Sequence, residues 1–529
     1  MLPRLAVLRW VPPPEPKIAD EFSFVLGAQT FALGRLTNPV PAFWQHFESL
    51  HINMVPSYQT MYQPAPSLFL ALGIVTGGNP WWGVWLSCGL MCAAICWALQ
   101  PLIRPRYALL AGLYCALKYG MFTNTGDSYW GGSVAALGAA LALGAFIRLV
   151  RSRRPAYIPV LVIGIALLAN SRPFEGFLFT IPLAVAFVYW IYRTRLFVRV
   201  LVPTTALLAV LALAMAYYNY RSTGSVRTMP YVANFEQYHF VQPFLGMKEL
   251  PEPPYRHYQM ARLYEKWEGE PGKLATTTSG IEFLTENKFN YYYTEHFAPL
   301  IILAMVGLCY ALWSRRHLLL VATLLFVVLG LFVVVWWPLS SYPAPLLVSF
   351  YGLAFLGLRY VRALRLRRRR FGLYWSRALV VVLALMSLLW WHDRFQDGKR
   401  SRWWYPAEFN IERQRIIHQL EREGGRHLLI VKYSQFHESY QEWVYNPPDL
   451  EHARVLFARS MGNREDCRLV NYYAPRKIWF LYPDGFPWPQ LIPIDPARMD
   501  CTDQETPSPD AALALSRTVP FATATLRKR

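Results

Sequence analysis

The sequence has few charged residues for its length. They make up 16% of its 529 residues, whereas soluble proteins carry roughly 25%. Hydrophobic residues reach 54% and aromatic residues 16%, a composition that excludes an acidic, disordered or collagen-like chain. Acidic residues are the scarcer sign: 33 Asp and Glu stand against 53 Lys and Arg, which leaves a net charge of +20. Such a charge is typical of proteins that bind nucleic acid and of membrane proteins with basic cytoplasmic loops. The positions of the charges distinguish the two classes.

Several motifs that carry chemistry are also missing. The sequence contains no Walker loop, dinucleotide fingerprint, nucleophile elbow or metal-ligand spacing, which argues against an ATP-driven pump and against an enzyme with a soluble cofactor. Cysteine is scarce, and Cys88, Cys92 and Cys96 repeat on one helix face without His or carboxylate, which favours packing over metal binding. Cys467 and Cys501 lie in the tail, where an oxidising compartment could join them, and the sequence leaves this pairing open.

Long apolar runs dominate the first 391 residues. A membrane-spanning helix needs about 20 mainly apolar residues, or fewer where its ends are aromatic or basic. Ten segments meet this requirement, and a further apolar stretch at 67–76 is too short to span alone. The sequence therefore predicts an all-α polytopic membrane domain of about ten spans. The predicted spans are 81–99, 107–122, 131–147, 156–169, 174–192, 197–218, 298–313, 317–337, 343–358 and 378–391.

Arginine clusters separate these spans in pairs. They lie at 104–106, 148–154, 193–199, 315–316 and 359–377, and none of them contains Asp or Glu. Because two spans lie between each cluster and the next, all five clusters face one side, which the positive-inside rule makes the cytoplasm. They hold almost the whole net charge. A nucleic-acid binder would instead interleave basic and aromatic residues on a folded surface, so we expect membrane lipids, and no nucleic acid, as partners.

The same alternation places the remaining polar segments outside. The membrane domain, residues 1–391, has a first outer loop at 11–66 and a large outer loop at 219–297, and residues 392–529 form an extracytoplasmic domain. Residues 1–10 are too short and too basic for a span. Either the chain begins outside, or a leading membrane helix precedes this sequence.

The tail has the pattern of a small α/β domain. A helical pattern at 408–423 ends at a Gly-Gly pair, which is typical of a helix end. Short β-like runs follow at 427–431, 454–458 and 477–481, with a polar helical stretch between the last two. This order predicts a small, mainly parallel sheet with helical crossovers. The last thirty or so residues, rich in Pro, Thr and Ala, are predicted to be loosely ordered.

Charged residues near membrane depth are costly and therefore mark candidate sites. Asp20 and Glu21 follow a proline-rich stretch in the first outer loop, and at most one of two adjacent carboxylates on a helix faces a given substrate. The structural alternative is that Asp20 caps the following helix, while the charge of Glu21 interacts favourably with the positive end of the helix dipole. Asp127 lies in the outer turn NTGDSYWGG, where helix capping by Asp127 or Ser128 is again the alternative.

Four further candidates lie at predicted helix ends. Arg172 occupies a tight outer turn three residues before Glu175, so the two could simply pair. An Arg at the outer surface also suits a phosphate at headgroup depth, because its planar fork binds two oxygens. Tyr62 opens the short apolar stretch in the segment MYQPAP, and Arg221 begins the large loop. That loop is rich in Tyr, which stacks on sugars or anchors in lipid headgroups.

Together these segments resemble a known superfamily. An Asp-Glu pair in the first outer loop, followed by a Tyr-x-Pro-x-Pro segment and a short apolar helix, resembles the GT-C glycosyltransferases that use lipid-linked sugars. The segments SYWGG at 128–132, SRPFEG at 171–176 and EWVYN at 442–446 are similar to a bacterial branch with a domain like that of the Rgt lipopolysaccharide transferases. The resemblance covers most of the chain and implies a bacterial inner-membrane protein.

The resemblance also implies roles for the candidate residues. Asp20 would accept a proton from the acceptor hydroxyl as that hydroxyl attacks the anomeric carbon, which gives inversion. Arg172, with Arg221 or Lys118, would stabilise the departing lipid phosphate. Glu21, Asp127 and Glu175 would orient sugar hydroxyls or hold the loops, and Tyr62 would contact substrate. The donor would be a polyprenyl-phosphate sugar, and the acceptor a glycan, a lipid or a protein.

Two other classes of function remain open at this point. A secondary transporter would show repeated halves and polar residues near the bilayer midplane, whereas this sequence keeps its ionisable groups at outer helix ends. A non-catalytic assembly factor would use the tail to recruit partners, with Asp20 as a helix cap. The residues require no cofactor, although carboxylates at Asp20 and Asp127 could meet around a divalent cation.

Overall fold

The computed structural model describes residues 2–365, 370–399, 409–485, 489–499 and 501–502. Three arginines of the last basic cluster, at 367–369, and the predicted loosely ordered end at 503–529 lie outside these residues. Within them the chain forms a large helical domain followed by a small α/β domain, which confirms the predicted fold class.

The helices and strands are numbered in chain order. The helices are α1 (Leu2–Ala6), α2 (Ala19–Ala32), α3 (Trp44–Phe47), α4 (Pro64–Gly77), α5 (Trp81–Leu99), α6 (Pro105–Tyr119), α7 (Gly132–Ser152), α8 (Tyr157–Ala169), α9 (Pro173–Thr194), α10 (Val202–Thr223), α11 (Pro230–Tyr238), α12 (Tyr258–Arg262), α13 (Glu270–Leu274), α14 (Thr278–Tyr292), α15 (Ile301–Leu312), α16 (Leu318–Val333), α17 (Leu347–Ala363), α18 (Phe371–Lys399), α19 (Phe409–Glu423) and α20 (Asn463–Tyr472). The strands are β1 (Ile52–Asn53), β2 (Gln59–Thr60), β3 (His427–Val431), β4 (Val455–Arg459), β5 (Lys477–Tyr482) and β6 (Gln490–Ile494).

All ten predicted spans are helical, but they differ in length. Six helices of the described chain are long and apolar enough to cross a membrane, or seven if the pair Thr278–Phe297 and Ile301–Leu312 counts as one span. That pair bends by 91° around Pro299, which cannot continue a helix. The helices α6, α8, α15 and α16 have 15, 13, 12 and 16 residues, so each is shorter than a full span.

Loops that carry the basic clusters contact one another at one end of the helical domain. Nη2 of Arg148 donates to the carbonyl oxygen of Trp97 over 2.6 Å, and Nη2 of Arg316 donates to that of Pro101 over 2.6 Å. Nε2 of His317 lies 3.2 Å from the carbonyl oxygen of Leu102. Three of the five arginine-rich connections therefore lie together, as the alternation of spans predicts.

The first outer loop is built around two packed helices, α2 and α4. A Cβ on Gly27 would come within 2.7 Å of Oγ of Ser67, so only glycine allows this close approach. Oγ of Ser67 also donates to the carbonyl oxygen of Phe24 over 2.9 Å. These contacts hold α2 in place and thereby set the position of its first turn, which carries Asp20.

The tail contains a four-stranded sheet in the order β4-β3-β5-β6. Strands β4, β3 and β5 are parallel, as predicted, and α20 lies between β4 and β5 in the chain. Strand β6 pairs antiparallel with β5 and was not predicted, because its segment is interrupted by Pro493. Gly424 and Gly425 end α19 with φ of +69° and +90°, and Cys467 and Cys501 form a disulfide.

The tail packs on the first outer loop through the segment at 442–446. The ring of Tyr445 stacks on that of Phe22, with centroids 4.1 Å apart. Oη of Tyr58 donates to the carbonyl oxygen of Asn446 over 2.8 Å. A buried ion pair of Arg459 with Glu442, 2.6 Å long, stabilises this segment from within the tail. The EWVYN motif therefore has a structural role at the contact between the two domains.

Candidate active site

Asp20 lies in the first turn of α2 but does not cap that helix. The N-cap residue is Ile18, which provides no side-chain cap. The Asp20 carboxylate instead accepts a hydrogen bond from Oη of Tyr62, and Nδ1 of His51 lies 3.6 Å from its Oδ1. Its side chain is 16% exposed, so it can still be reached from outside.

His51 links Asp20 to a second carboxylate. Its Nδ1 is 3.2 Å from Oη of Tyr62, and its Nε2 is 2.7 Å from Oε1 of Glu268, which comes from the large outer loop. The other oxygen of Glu268 is 3.3 Å from Nδ1 of His239. His51 has a left-handed backbone with φ of +57°, and its carbonyl oxygen accepts from Oγ of Ser23 over 2.7 Å, which anchors the turn to α2.

The charges of this cluster stabilise one another. Burial alone would lower the pKa of His51, but the Glu268 and Asp20 carboxylates outweigh it and raise that pKa to about 10. Burial disfavours both carboxylates, yet the His51 imidazolium holds the pKa of Asp20 and that of Glu268 below their usual values. Burial lowers the pKa of His239 to about 4. Near neutral pH the cluster therefore holds two carboxylates, one imidazolium and one neutral imidazole.

Arg172 reaches the same region from the turn between α8 and α9. Its positive charge contributes to the low pKa of Asp20, so the two groups interact electrostatically. Nη2 of Arg172 donates to Oγ of Ser341 and lies 3.5 Å from the carbonyl oxygen of Trp130. The guanidinium also lies 4.9 Å from the ring centre of Tyr342. The structure thus brings Asp20, Tyr62 and Arg172 together, as three of the eight sequence candidates.

Glu175 borders a small cavity next to Arg172. Tyr342 and Lys288 line the same cavity, and Nζ of Lys288 donates to the carbonyl oxygens of Leu331 and Val334 at the end of α16. Glu175 is buried. Lys288 therefore adds a second cation near this end of the helices. The sequence did not indicate it, because its helix, α14, was predicted as part of a polar loop.

Two other carboxylate candidates make structural contacts. Glu21 accepts from the backbone nitrogen of Lys17 over 2.7 Å and from that of Tyr129 over 3.2 Å, so it joins the start of α2 to the turn at 123–131. Asp127 forms a buried ion pair with Arg4, 3.0 Å long. The carboxylates of Asp20 and Asp127 are thus engaged by different partners.

The remaining basic candidates also have other partners. Nζ of Lys118 donates to the carbonyl oxygens of His296 and Ala298 over 2.8 and 3.0 Å, which ties α6 to the bend before α15. Arg221 is exposed, and its Nη1 lies 3.4 Å from Oη of Tyr217 on the same helix. Among the described residues, no group of three or more His, Cys, Asp and Glu has the arrangement of a metal site.

Sequence reasoning missed His51 and Glu268. They are 217 residues apart, and neither lies in a motif or at the end of an apolar span. The one available signal was the presence of His and Glu in the two outer segments already assigned to the same side of the membrane. That signal could not single out these two residues among the others.

Comparison with known proteins gives distant similarities only. No protein-family model matches the chain, and no curated protein does. The apo crystal structure of the Archaeoglobus fulgidus oligosaccharyltransferase is 12% identical, with a TM-score of 0.47, over 90% of this chain and 67% of that one. Apo ArnT from Cupriavidus metallidurans is 12% identical, with a TM-score of 0.47, over 97% of this chain and 93% of that one.

A third similar structure is ArnT from Cupriavidus metallidurans bound to undecaprenyl phosphate. It is 13% identical, with a TM-score of 0.46, over 97% of this chain and 92% of that one. At these identities and TM-scores the similarities bear neither on the site residues nor on the substrate, and membership of the Rgt-like branch stays a prediction.

Proposed function

We propose that the protein is a membrane glycosyltransferase of the GT-C type, which transfers a sugar from a polyprenyl-phosphate donor to an acceptor outside a bacterial inner membrane. The observation that carries the proposal is the Asp20 carboxylate. It is partly exposed, it is kept ionised by His51 and Tyr62, and it interacts with the charge of Arg172. A general base and a cation for the leaving group are the two elements that this reaction needs.

In the proposed reaction Asp20 takes the proton of an acceptor hydroxyl. The hydroxyl oxygen forms a new bond to the anomeric carbon from the face opposite the donor phosphate, and the bond between that carbon and the phosphate oxygen breaks. Its electron pair leaves with the polyprenyl phosphate, whose charge Arg172 binds. One displacement gives inversion, and the acceptor proton ends on Oδ1 or Oδ2 of Asp20.

The neighbours of Asp20 keep its carboxylate ionised and therefore able to accept a proton. His51 lies between Asp20 and Glu268, so the imidazolium favours the ionised form of both carboxylates. When Asp20 accepts a proton, the charge on the Asp20 side of His51 is lost, while Glu268 still holds the imidazolium in place. Glu268 and His51 are therefore proposed as positioning residues.

The proposal extends to the other candidates and to topology. Glu175 and Tyr62 are proposed to contact the sugar, and the tail domain is proposed to lie outside the membrane with the site. No contact among the described residues favours a transporter, which would need ionisable groups at the bilayer midplane. A non-catalytic role would leave unexplained why the ionised Asp20 is partly exposed and interacts with the charge of Arg172.

The test is sugar transfer from radiolabelled polyprenyl-phosphate sugars by membranes that contain the protein. Asp20→Asn keeps the shape of the side chain and removes the base, so we expect transfer to fall by about 10²–10⁴-fold. Asp449→Asn, at an exposed carboxylate of the tail, is the matched control and should keep the full rate. Transfer at the native rate by a normally expressed Asp20→Asn protein would refute the assignment of the base.

A further inference from the structure

A cleft of about 400 Å³ lies between the membrane domain and the tail, apart from Asp20. Small-molecule sites of proteins usually have volumes of about 300–1,000 Å³. One wall is a face of α2 and the other is a face of α19, because the lining residues recur at helical spacing on both. On α2 they are Phe22, Val25, Leu26 and Gln29, and on α19 they are Asn410, Arg413, Gln414, Ile417 and Glu421.

The two helices meet at only one end of this cleft. The rings of Phe22 and Phe409, in the first turn of each helix, have centroids 6.5 Å apart. Further along, Gln29 and Glu421 border open space instead of packing on each other. The α2 face is mainly apolar and the α19 face mainly polar, so the gap between them offers both kinds of contact to a ligand.

The cleft lies on the far side of α2 from the proposed transfer site. At 100° per residue, Phe22 and Gln29 point roughly opposite to Asp20. The side of α2 that carries Asp20 also carries Gly27, which packs on Ser67. A route from the cleft to the transfer site leads around the start of α2. The segment at 14–16, which lines the cleft and leads into that helix, borders this route.

The polar groups of the cleft suit a neutral, hydroxyl-rich molecule. Gln29, Asn410 and Gln414 present amides, which donate and accept at the same time and so match pairs of neighbouring hydroxyls. Oδ1 of Asn410 is buried and has no hydrogen-bond partner within the described part of the chain. A hydroxyl of a bound ligand would donate to this atom and satisfy it.

The charges of the cleft balance. Glu15 and Glu421 stand against Arg413 and Arg454. Arg413 is already engaged, because its Nε and Nη2 donate to the carbonyl oxygens of Trp443 and Tyr445. A strongly anionic or cationic ligand would therefore meet groups of like charge as well as groups of opposite charge, a cost that a neutral ligand avoids. The apolar side chains of the α2 wall can pack against the C–H faces of sugar rings.

We infer that this cleft binds a neutral oligosaccharide, which makes the acceptor of the proposed transfer a glycan several sugars long. The identification of this glycan as the acceptor rests on the proposed function, whereas its binding to the cleft does not require transfer. The cleft holds the inner sugars, and the end to be extended passes around the start of α2 to Asp20.

Binding is tested with maltohexaose, cellohexaose and chitohexaose on the full chain in detergent, by ligand-observed NMR. We expect at least one of them to bind. Asn410→Leu and Gln29→Leu, on opposite walls, are each expected to weaken that binding at least tenfold. Gln419→Leu, at an exposed position of the same helix α19, is the matched control and should bind as the native protein does.

Three results would overturn the inference. They are no binding of any hexasaccharide, binding that both wall variants leave unchanged, and displacement of the bound sugar by polyprenyl phosphate, which would place it in the donor site. Because two walls are tested separately, loss of the fold in one variant does not decide the outcome. An unchanged transfer rate in Asp20→Asn would refute the proposed function without affecting hexasaccharide binding. Failure of the proposed function and failure of the inferred glycan site are therefore distinguishable.

Discussion

Nε2 of His51 lies 2.7 Å from Oε1 of Glu268, although the two residues belong to different outer loops. The contact joins the large loop to the turn at His51, whose Nδ1 lies beside Tyr62 and Asp20. It also places an imidazolium between two carboxylates, which keeps all three groups charged. Loop position and charge state are therefore coupled at this point of the molecule.

Removing the charge of Glu268 is expected to change the pH profile of transfer. Its carboxylate and that of Asp20 together raise the pKa of His51 to about 10. Their stabilisation of the protonated His51 is therefore complete below pH 6.5 and disappears as the pH rises through 10. In Glu268→Gln the pKa of His51 falls, so the loss of activity at basic pH should begin about 1–3 pH units lower. Glu282→Gln, at an exposed site of the same loop, should keep the native profile. A basic limb that does not move in Glu268→Gln would remove the positioning role.

Arg172 and Arg221 are both arginines at outer helix ends, and the structure predicts opposite responses to lysine. Arg172 is held by Ser341 and Tyr342 beside the site, so Arg172→Lys keeps the charge but loses the planar fork. We expect transfer to fall by about 10- to 100-fold, measured as kcat/KM for the donor. Arg221→Lys should stay within about twofold, because its side chain is solvent-exposed. Equal responses would argue against Arg172 as the phosphate ligand.

The ion pair of Arg4 and Asp127 predicts a loss of stability. Both side chains are 2% exposed, and removing one partner leaves a buried charge, which costs about 3–5 kcal/mol. Asp127→Asn should therefore lower the melting temperature of the purified protein, and Arg4→Met/Asp127→Leu should lose less than the two single changes combined. If Asp127 instead orients sugar, Asp127→Asn will raise KM at an unchanged melting temperature.

The disulfide of Cys467 and Cys501 offers a test of topology. In spheroplasts, a membrane-impermeant maleimide should label these two cysteines only after reduction by an impermeant phosphine, because an extracytoplasmic tail is oxidised. Replacing both by Ser should cost about 2–5 kcal/mol in the tail, seen as faster proteolysis from outside. Labelling without prior reduction, or only after lysis, would contradict the proposed location of the tail.

Parts of the candidate site were predictable and others were not. Asp20 and Arg172 were candidates from sequence because charged residues near membrane depth are costly. Their proposed roles came from the resemblance to the GT-C glycosyltransferases and stay predictions. Asp127 looked equivalent in sequence, but its partner Arg4 lies 123 residues earlier in the chain, beyond the reach of any local pattern.

The sequence by itself determined the apolar helices, the arginine-rich loops that orient them and the α/β pattern of the tail. Each of these follows from composition or periodicity within about twenty residues, since helix and strand faces repeat every few positions. Only the tertiary structure decided which charges meet. The partners of Asp20 and the gap between α2 and α19 depend on how the outer loops and the tail pack together, and that packing is a property of the whole chain.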